Sequence, residues 1–121
     1  MSRKPIPKKT RLLVYEKYGG HCAYCGCELK YNDMQVDHLE SVYHATERMH
    51  READDSMGNY MPSCRMCNYY KGTSTIEQFR SDLTDMLMRN VRRPFDYRLA
   101  LKYGLIKETV KPIKFYFEEW K

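Results

Sequence analysis

The chain has 121 residues, 42% of them apolar and 31% charged, with a formal net charge of +5. This length gives one domain with at most a short appendage and a modest core. No apolar run approaches the roughly 18 residues needed to span a bilayer, which argues against a membrane protein, and the positive balance suits an acidic partner, nucleic acid first. The basic N-terminus, from Met1 to Lys9, has no apolar signal-peptide core behind it, which points to the cytosol. In that reducing compartment paired cysteines serve as metal ligands more often than as disulfides. Five cysteines is an odd number, and four ligands plus a spare, Cys27, fit it better than a disulfide framework.

Residues 1–9 read as a flexible basic arm, either a phosphate contact or a solubilising tail. From Thr10 the apolar positions Leu12, Leu13, Val14, Tyr15 and Tyr18 predict a helix over about 10–18, stopped by Gly19-Gly20. His21-Cys22-Ala23-Tyr24-Cys25-Gly26 is a tight turn carrying two thiols, in which Gly26 lets the backbone aim both sulfurs at one ion. Val36-Asp37-His38-Leu39 reads as a short strand, and a strand end would present Asp37 and His38 at a cleft. Residues 40–58 fit an exposed helix or an ordered loop, with Asp54 to Gly58 turn-like. A second short strand is expected at 59–61, then a second cysteine knuckle and a short helix starting near residue 67.

Ser74-x-x-Glu77 matches a capping box. It would open a helix whose stripe, Ile76, Phe79, Leu83, Met86, Leu87 and Val91, faces the core. Arg89, Arg92 and Arg93 at its end suit the helix dipole and could also touch phosphate. The remainder, 94–121, is rich in Tyr, Phe and Lys. It is expected to form a short helix over about 96–103 and a strand or extended segment near 113–118. Its aromatic groups could stack on bases or pack against the preceding helix; a C-terminal extension packed on the domain is the expectation.

The cysteines form the pattern C-x2-C-x38-C-x2-C, at Cys22, Cys25, Cys64 and Cys67. Four thiolates can close a tetrahedral shell around Zn²⁺ and leave no place for a reactive water, so this zinc would be structural. It can add on the order of 10 kcal/mol or more to folding. The bland alternative is a set of buried reduced thiols. Chemistry would then need other groups. Asp37 and Asn68 offer the oxygens that Mg²⁺ prefers, and His38 has a side chain suited to accept a proton from water near neutral pH. A divalent ion beside a phosphate can stabilise both the developing charge and the leaving oxygen.

With the two C-x2-C pairs, Asp37-His38, Asn59 and the run Cys67-Asn68-x-x-Lys71-Gly72, the chain from about residue 11 to 80 resembles the HNH endonuclease family. The resemblance implies an α+β fold: a ββα-metal core of two strands and a helix gripping a divalent ion, stapled here by the four-cysteine zinc, with flanking helices. Residues 10–93 would be the nuclease domain. By that resemblance His38 is the general base, Asp37 a ligand of the catalytic ion, and Asn59 the central Asn that braces the loop. Asn68 stands where many members carry a second His, making this an H-N-N variant and favouring Mg²⁺ or Mn²⁺ over a nitrogen-preferring ion. The segment between His38 and Asn59 is longer than the family's usual loop, and His44 or His50 within it could approach the ion. His21 reads as a residue beside the zinc ligands or at the surface, and Lys71 and Arg65 as phosphate contacts. The expected substrate is duplex DNA, read mainly through its backbone. A double-strand break needs two nicks, hence a homodimer or a larger phage or restriction assembly. Small free-standing members of the family are frequent in phages and bacteria. The competing class is a non-catalytic zinc module that binds nucleic acid or protein, which would have no need of the Asp37-His38, Asn59 and Asn68 set.

Overall fold

The computed structural model describes residues 5–40 and 57–121. The first helix, α1 (Lys8–Glu16), begins just after Pro7. Lys8 and Lys9 therefore belong to a helix and not to a free arm. The pre-set backbone of proline suits a helix start. Val14 is the buried residue of α1, whereas Leu12 and Leu13 stay half exposed. Gly19 and Gly20 end the helix in left-handed conformations (φ +65° and +80°). The chain then enters the first cysteine knuckle, where Gly26 (φ +82°) has a second reason to lack a side chain: a Cβ there would lie 2.7 Å from the Tyr116 ring.

A 3₁₀ turn (Tyr31–Asp33) leads into β1 (Gln35–His38). This strand pairs antiparallel with β2 (Tyr60–Ser63) in the register Val36–Pro62, Asp37–Met61 and His38–Tyr60. Among the described residues the sheet has these two strands. Two strands alone are marginal, so both faces need cover. Met34 and Met61 are 1% exposed, and every residue of β2 is buried. The first knuckle is bonded to this hairpin, Ala23 N donating to the carbonyl of Pro62 (2.8 Å). Lys17 braces the other side, its ammonium 2.8 Å from the carbonyl of Tyr60 and 3.0 Å from that of Met57.

The next helix, α2 (Arg65–Lys71), starts two residues earlier than expected because Cys64 is its N-cap, with Sγ accepting from Cys67 N. A longer helical stretch comes next: α3 (Ile76–Ser81), a π turn (Asp82–Met86) and α4 (Leu87–Arg92). Its cap is Thr75, whose hydroxyl accepts from Gln78 N at 3.1 Å. Ser74 instead closes the preceding turn with a bond from its N–H to Lys71 O. The expected apolar stripe is core at Phe79 and packed beside it at Ile76 and Leu83, but Met86 and Val91 are exposed. The wide π turn accounts for the change, since one extra residue in a turn rotates the rest of the helix by about 100°.

Beyond Pro94 comes α5 (Phe95–Lys102). Glu108 clips the segment after it back onto the preceding helix by accepting from the Arg92 guanidinium and the Tyr97 hydroxyl. Near 113–118, where a strand or extended segment is expected, the chain is extended at Phe115 and then forms a helical turn, α6 (Tyr116–Glu119). The N–H groups of Tyr116 and Phe117 bond the carbonyls of Tyr24 and Ala23. The first knuckle, already paired to β2 on its other side, thus supplies isolated acceptors and no free strand edge. Phe115 is 2% exposed and stacks on Phe79 at 5.1 Å. Arg80 lies over the Phe115 ring and pairs with Glu118. The core is therefore small, running from Val14 through Tyr24, Met34 and Met61 to Phe79 and Phe115.

Candidate metal centre and catalytic strand end

Two knuckles converge on one point. The turn at Cys22–Cys25 and the N-terminus of α2 at Cys64–Cys67 place all four sulfurs within 4.8 Å of one another. Zn–S bonds of about 2.3 Å in a tetrahedron set the sulfurs about 3.8 Å apart, and Cys25 Sγ lies 3.9 Å from Cys64 Sγ. The proton chemistry agrees. A hydrogen bond from Cys67 draws the Cys22 thiol down to about 4 against the cost of its burial. The same contact pushes Cys67 up, and burial pushes Cys25 up. Four crowded sulfurs cannot all ionise unless a cation shares their charge, and Zn²⁺ fits. The group leaves out Cys27, which is exposed. His21 lies beside the knuckle, stacked on Tyr116 at 5.3 Å.

The helix α2 also packs against β1, which carries Asp37 and His38. Period-2 alternation sends neighbouring side chains to opposite faces. Asp37 turns toward α2 and is 7% exposed. His38 is half-buried at the strand end, its ring edge-on to Tyr60 at 5.4 Å. Lys71, from the last turn of α2, places its ammonium 3.0 Å from Asp37 Oδ2 and 3.0 Å from the carbonyl of His38. It is 1% exposed. The expectation that Lys71 touches phosphate is therefore corrected: its charge is used internally, where a buried carboxylate demands a partner. Arg65 is exposed at the start of α2.

Asn68 lies one helical turn before Lys71. Residues three apart share a helix face, so the face that meets β1 through Lys71 also carries Asn68. Asn59, 7% exposed, grips the backbone just past His38: its Oδ1 accepts from Glu40 N at 2.8 Å, its Nδ2 donates to Glu40 O at 3.0 Å, and its own carbonyl accepts from Leu39 N. His44 and His50 lie outside the described residues, as does most of the segment between His38 and Asn59.

Two features could not be read from spacing. Tyr24 donates its hydroxyl to Asp37 Oδ2 at 2.5 Å. Burial and the adjacent carboxylate push that hydroxyl far above its ordinary range, so it stays protonated and donates. In the sequence Tyr24 is only a spacer between two cysteines, and no periodicity marks it. The second feature is a cavity of about 710 Å³ against the cysteine cluster, lined by Tyr24, Cys25, Cys67, Tyr70, Phe79 and Phe115 among others. Asp37, His38 and Asn68 do not line it, so this hollow and the candidate chemistry are separate places.

Residues 22–74 match the family model described as HNH endonuclease. No curated protein matches the chain. Among solved structures, a crystal structure of the Type II-C Cas9 enzyme from Actinomyces naeslundii is similar in fold, with a TM-score of 0.52 and 20% identity over 84% of this chain. The chain spans 11% of the length of that protein. No helix among the described residues is long and apolar enough to cross a membrane.

Proposed function

We propose that this protein is a metal-dependent endonuclease that hydrolyses phosphodiester bonds in DNA, with His38 as general base and a divalent ion, Mg²⁺ or Mn²⁺, held by Asp37 and Asn68. The observation that carries the reading is the docking of α2 onto β1 through Lys71, which brings the Asn68 face of the helix to the strand end bearing Asp37 and His38. Oδ2 of Asp37 takes both the Tyr24 hydroxyl and the Lys71 ammonium, which leaves Oδ1 for an ion. A carboxylate and an amide oxygen are the donor types that hard divalent cations take. Such an ion, when bound, supplies charge stabilisation at the phosphate and its leaving oxygen. His38 accepts the proton of the attacking water, and Asn59 holds the backbone just past His38 so that the imidazole keeps its aim. The four-cysteine zinc keeps the two knuckles, and hence α2 and β2, in register.

The charge distribution supports a nucleic-acid substrate. Between residues 87 and 114 there are eight Lys or Arg and two acids, Asp96 and Glu108, a net +6 against +5 for the whole chain. All eight cations are exposed. This stretch lies beyond the HNH segment and offers phosphate contacts in place of Lys71. The test is supercoiled plasmid incubated with the zinc-loaded protein and Mg²⁺ or Mn²⁺. Wild type is expected to nick it and His38→Ala to be at least about 100-fold slower. Equal cleavage by both removes His38 from the mechanism. DNA binding without cleavage by either favours a non-catalytic module.

A further inference from the structure

We propose that Tyr24 is a positioning residue that fixes the Asp37 carboxylate for its divalent ion and so ties the ion-binding site to the four-cysteine knuckle. The proposal rests on the nuclease reading above, because it concerns the same carboxylate.

Tyr24 is held on every side. It sits between Cys22 and Cys25, with its N–H directed at Cys22 Sγ (3.4 Å) and its carbonyl accepting from Tyr116 N (3.0 Å). Its ring meets Phe79, Phe115 and Phe117 edge-on, at 5.5, 5.7 and 6.2 Å. With backbone and ring both fixed, the hydroxyl has one direction in which to point, and there it meets Asp37 Oδ2. The ammonium of Lys71 reaches the same oxygen. Two donors on a single oxygen stop the carboxylate from rotating and leave the other oxygen in a fixed place for an ion.

An ordinary buried tyrosine satisfies its hydroxyl on whatever acceptor is near, commonly a backbone carbonyl. Here the acceptor is a side-chain carboxyl group, immediately before the candidate base, and the donor is one residue from a sulfur ligand. Groups that orient a metal's ligands typically change its affinity about 10–100-fold when removed.

The test is Tyr24→Phe, which deletes the hydroxyl and keeps the ring. Mn²⁺ alone is titrated into the zinc-loaded protein and free Mn²⁺ is followed by electron paramagnetic resonance, beside zinc content and the thermal transition. Tyr24→Phe is expected to keep its zinc and bind Mn²⁺ about tenfold more weakly or worse. A purely structural tyrosine would lower the transition temperature and leave the Mn²⁺ affinity alone, and affinity within twofold of wild type overturns the proposal. Should Tyr24→Phe lose its zinc, Phe117→Leu, which loosens one wall of the ring's cage, carries the test: a severalfold weaker affinity supports the proposal and an unchanged one overturns it. Asp37→Asn separates the two levels. A wild type that binds no Mn²⁺, or an Asp37→Asn that binds like wild type, overturns the ion site itself and the proposal with it. Mn²⁺ binding that needs Asp37 but is indifferent to Tyr24 overturns the proposal alone.

Discussion

Lys71 and Asp37 form an ion pair in which the lysine side chain has no solvent exposure and the carboxylate only 8%. Removing one partner of such a pair leaves an uncompensated buried charge, at a cost of about 3–5 kcal/mol. Lys71→Met is therefore expected to lower the unfolding free energy by about that amount, with Asp37→Asn/Lys71→Met regaining part of it. Urea unfolding of the zinc-loaded proteins measures both, and a loss under about 1 kcal/mol for Lys71→Met would mean that the pair is solvated.

Zinc removal tests the sulfur cluster. With ten residues in the buried apolar cluster among the described residues, the domain is expected to lean on a metal staple, whose binding is worth on the order of 10 kcal/mol. Cys64→Ala also loses the N-cap of α2. It is expected to hold no zinc and to show no cooperative thermal transition, as is wild type after chelation. Cys27→Ala, outside the cluster, is expected to keep one zinc per chain. Zinc assay and circular dichroism decide both.

Asn59 separates stability from activity. Asn59→Ala forfeits two hydrogen bonds to the exposed Glu40 backbone, a stability loss of about 1–2 kcal/mol. Because the freed backbone adjoins His38, nicking is expected to fall further, by about 10–100-fold. Comparable activity in the two proteins would make Asn59 a structural residue only.

Arg80 and Glu118 give a pH signature. The Arg80 guanidinium holds the Glu118 carboxyl below its ordinary value. A depressed carboxylate contributes stability that is complete above the unfolded value, about 4.3, and is lost as pH falls through the lower folded value. The pair is partly exposed, so the contribution is under about 1 kcal/mol. Wild type is expected to lose that increment below about pH 4, and Arg80→Met to lack it throughout. Parallel stability profiles for the two would contradict the assignment.

The basic stretch over 87–114 predicts a salt effect. Removing one phosphate contact reduces the slope of log affinity against log salt by about 0.9. Arg93→Gln, Arg98→Gln, Lys102→Gln and Lys107→Gln combined are expected to weaken duplex binding at low salt and to flatten that slope by about two or more, as read by fluorescence anisotropy. An unchanged slope would place the DNA elsewhere.

Much of the fold and site is legible in the residues. The cysteine spacing, the glycine stop after α1 and the Asp37-His38 strand end each follow from local chemistry, and the structure has sulfur cluster, helix end and strand at those positions. Long-range partnership is not legible. Lys71 reads as a surface cation because charge is usually solvated; only the fold shows that it balances a buried carboxylate 34 residues upstream. Tyr24 carries no signal for the same reason. The aromatic segment near 113–118 reads as a strand or extended segment from its composition; it is extended at Phe115, yet it meets isolated acceptors on a knuckle rather than a strand edge and coils into a turn from Tyr116. The π turn, which has no composition signature, moves Met86 and Val91 to the surface.

The central claim is that two ions occupy two separate places, one among sulfurs and one beside His38. A crystal of the zinc-loaded protein soaked in Mn²⁺, with anomalous data collected at the manganese and zinc edges, tests it most directly. The account predicts zinc among Cys22, Cys25, Cys64 and Cys67, and manganese between the side-chain oxygens of Asp37 and Asn68. Manganese found only among the sulfurs, or nowhere near Asp37, would contradict it.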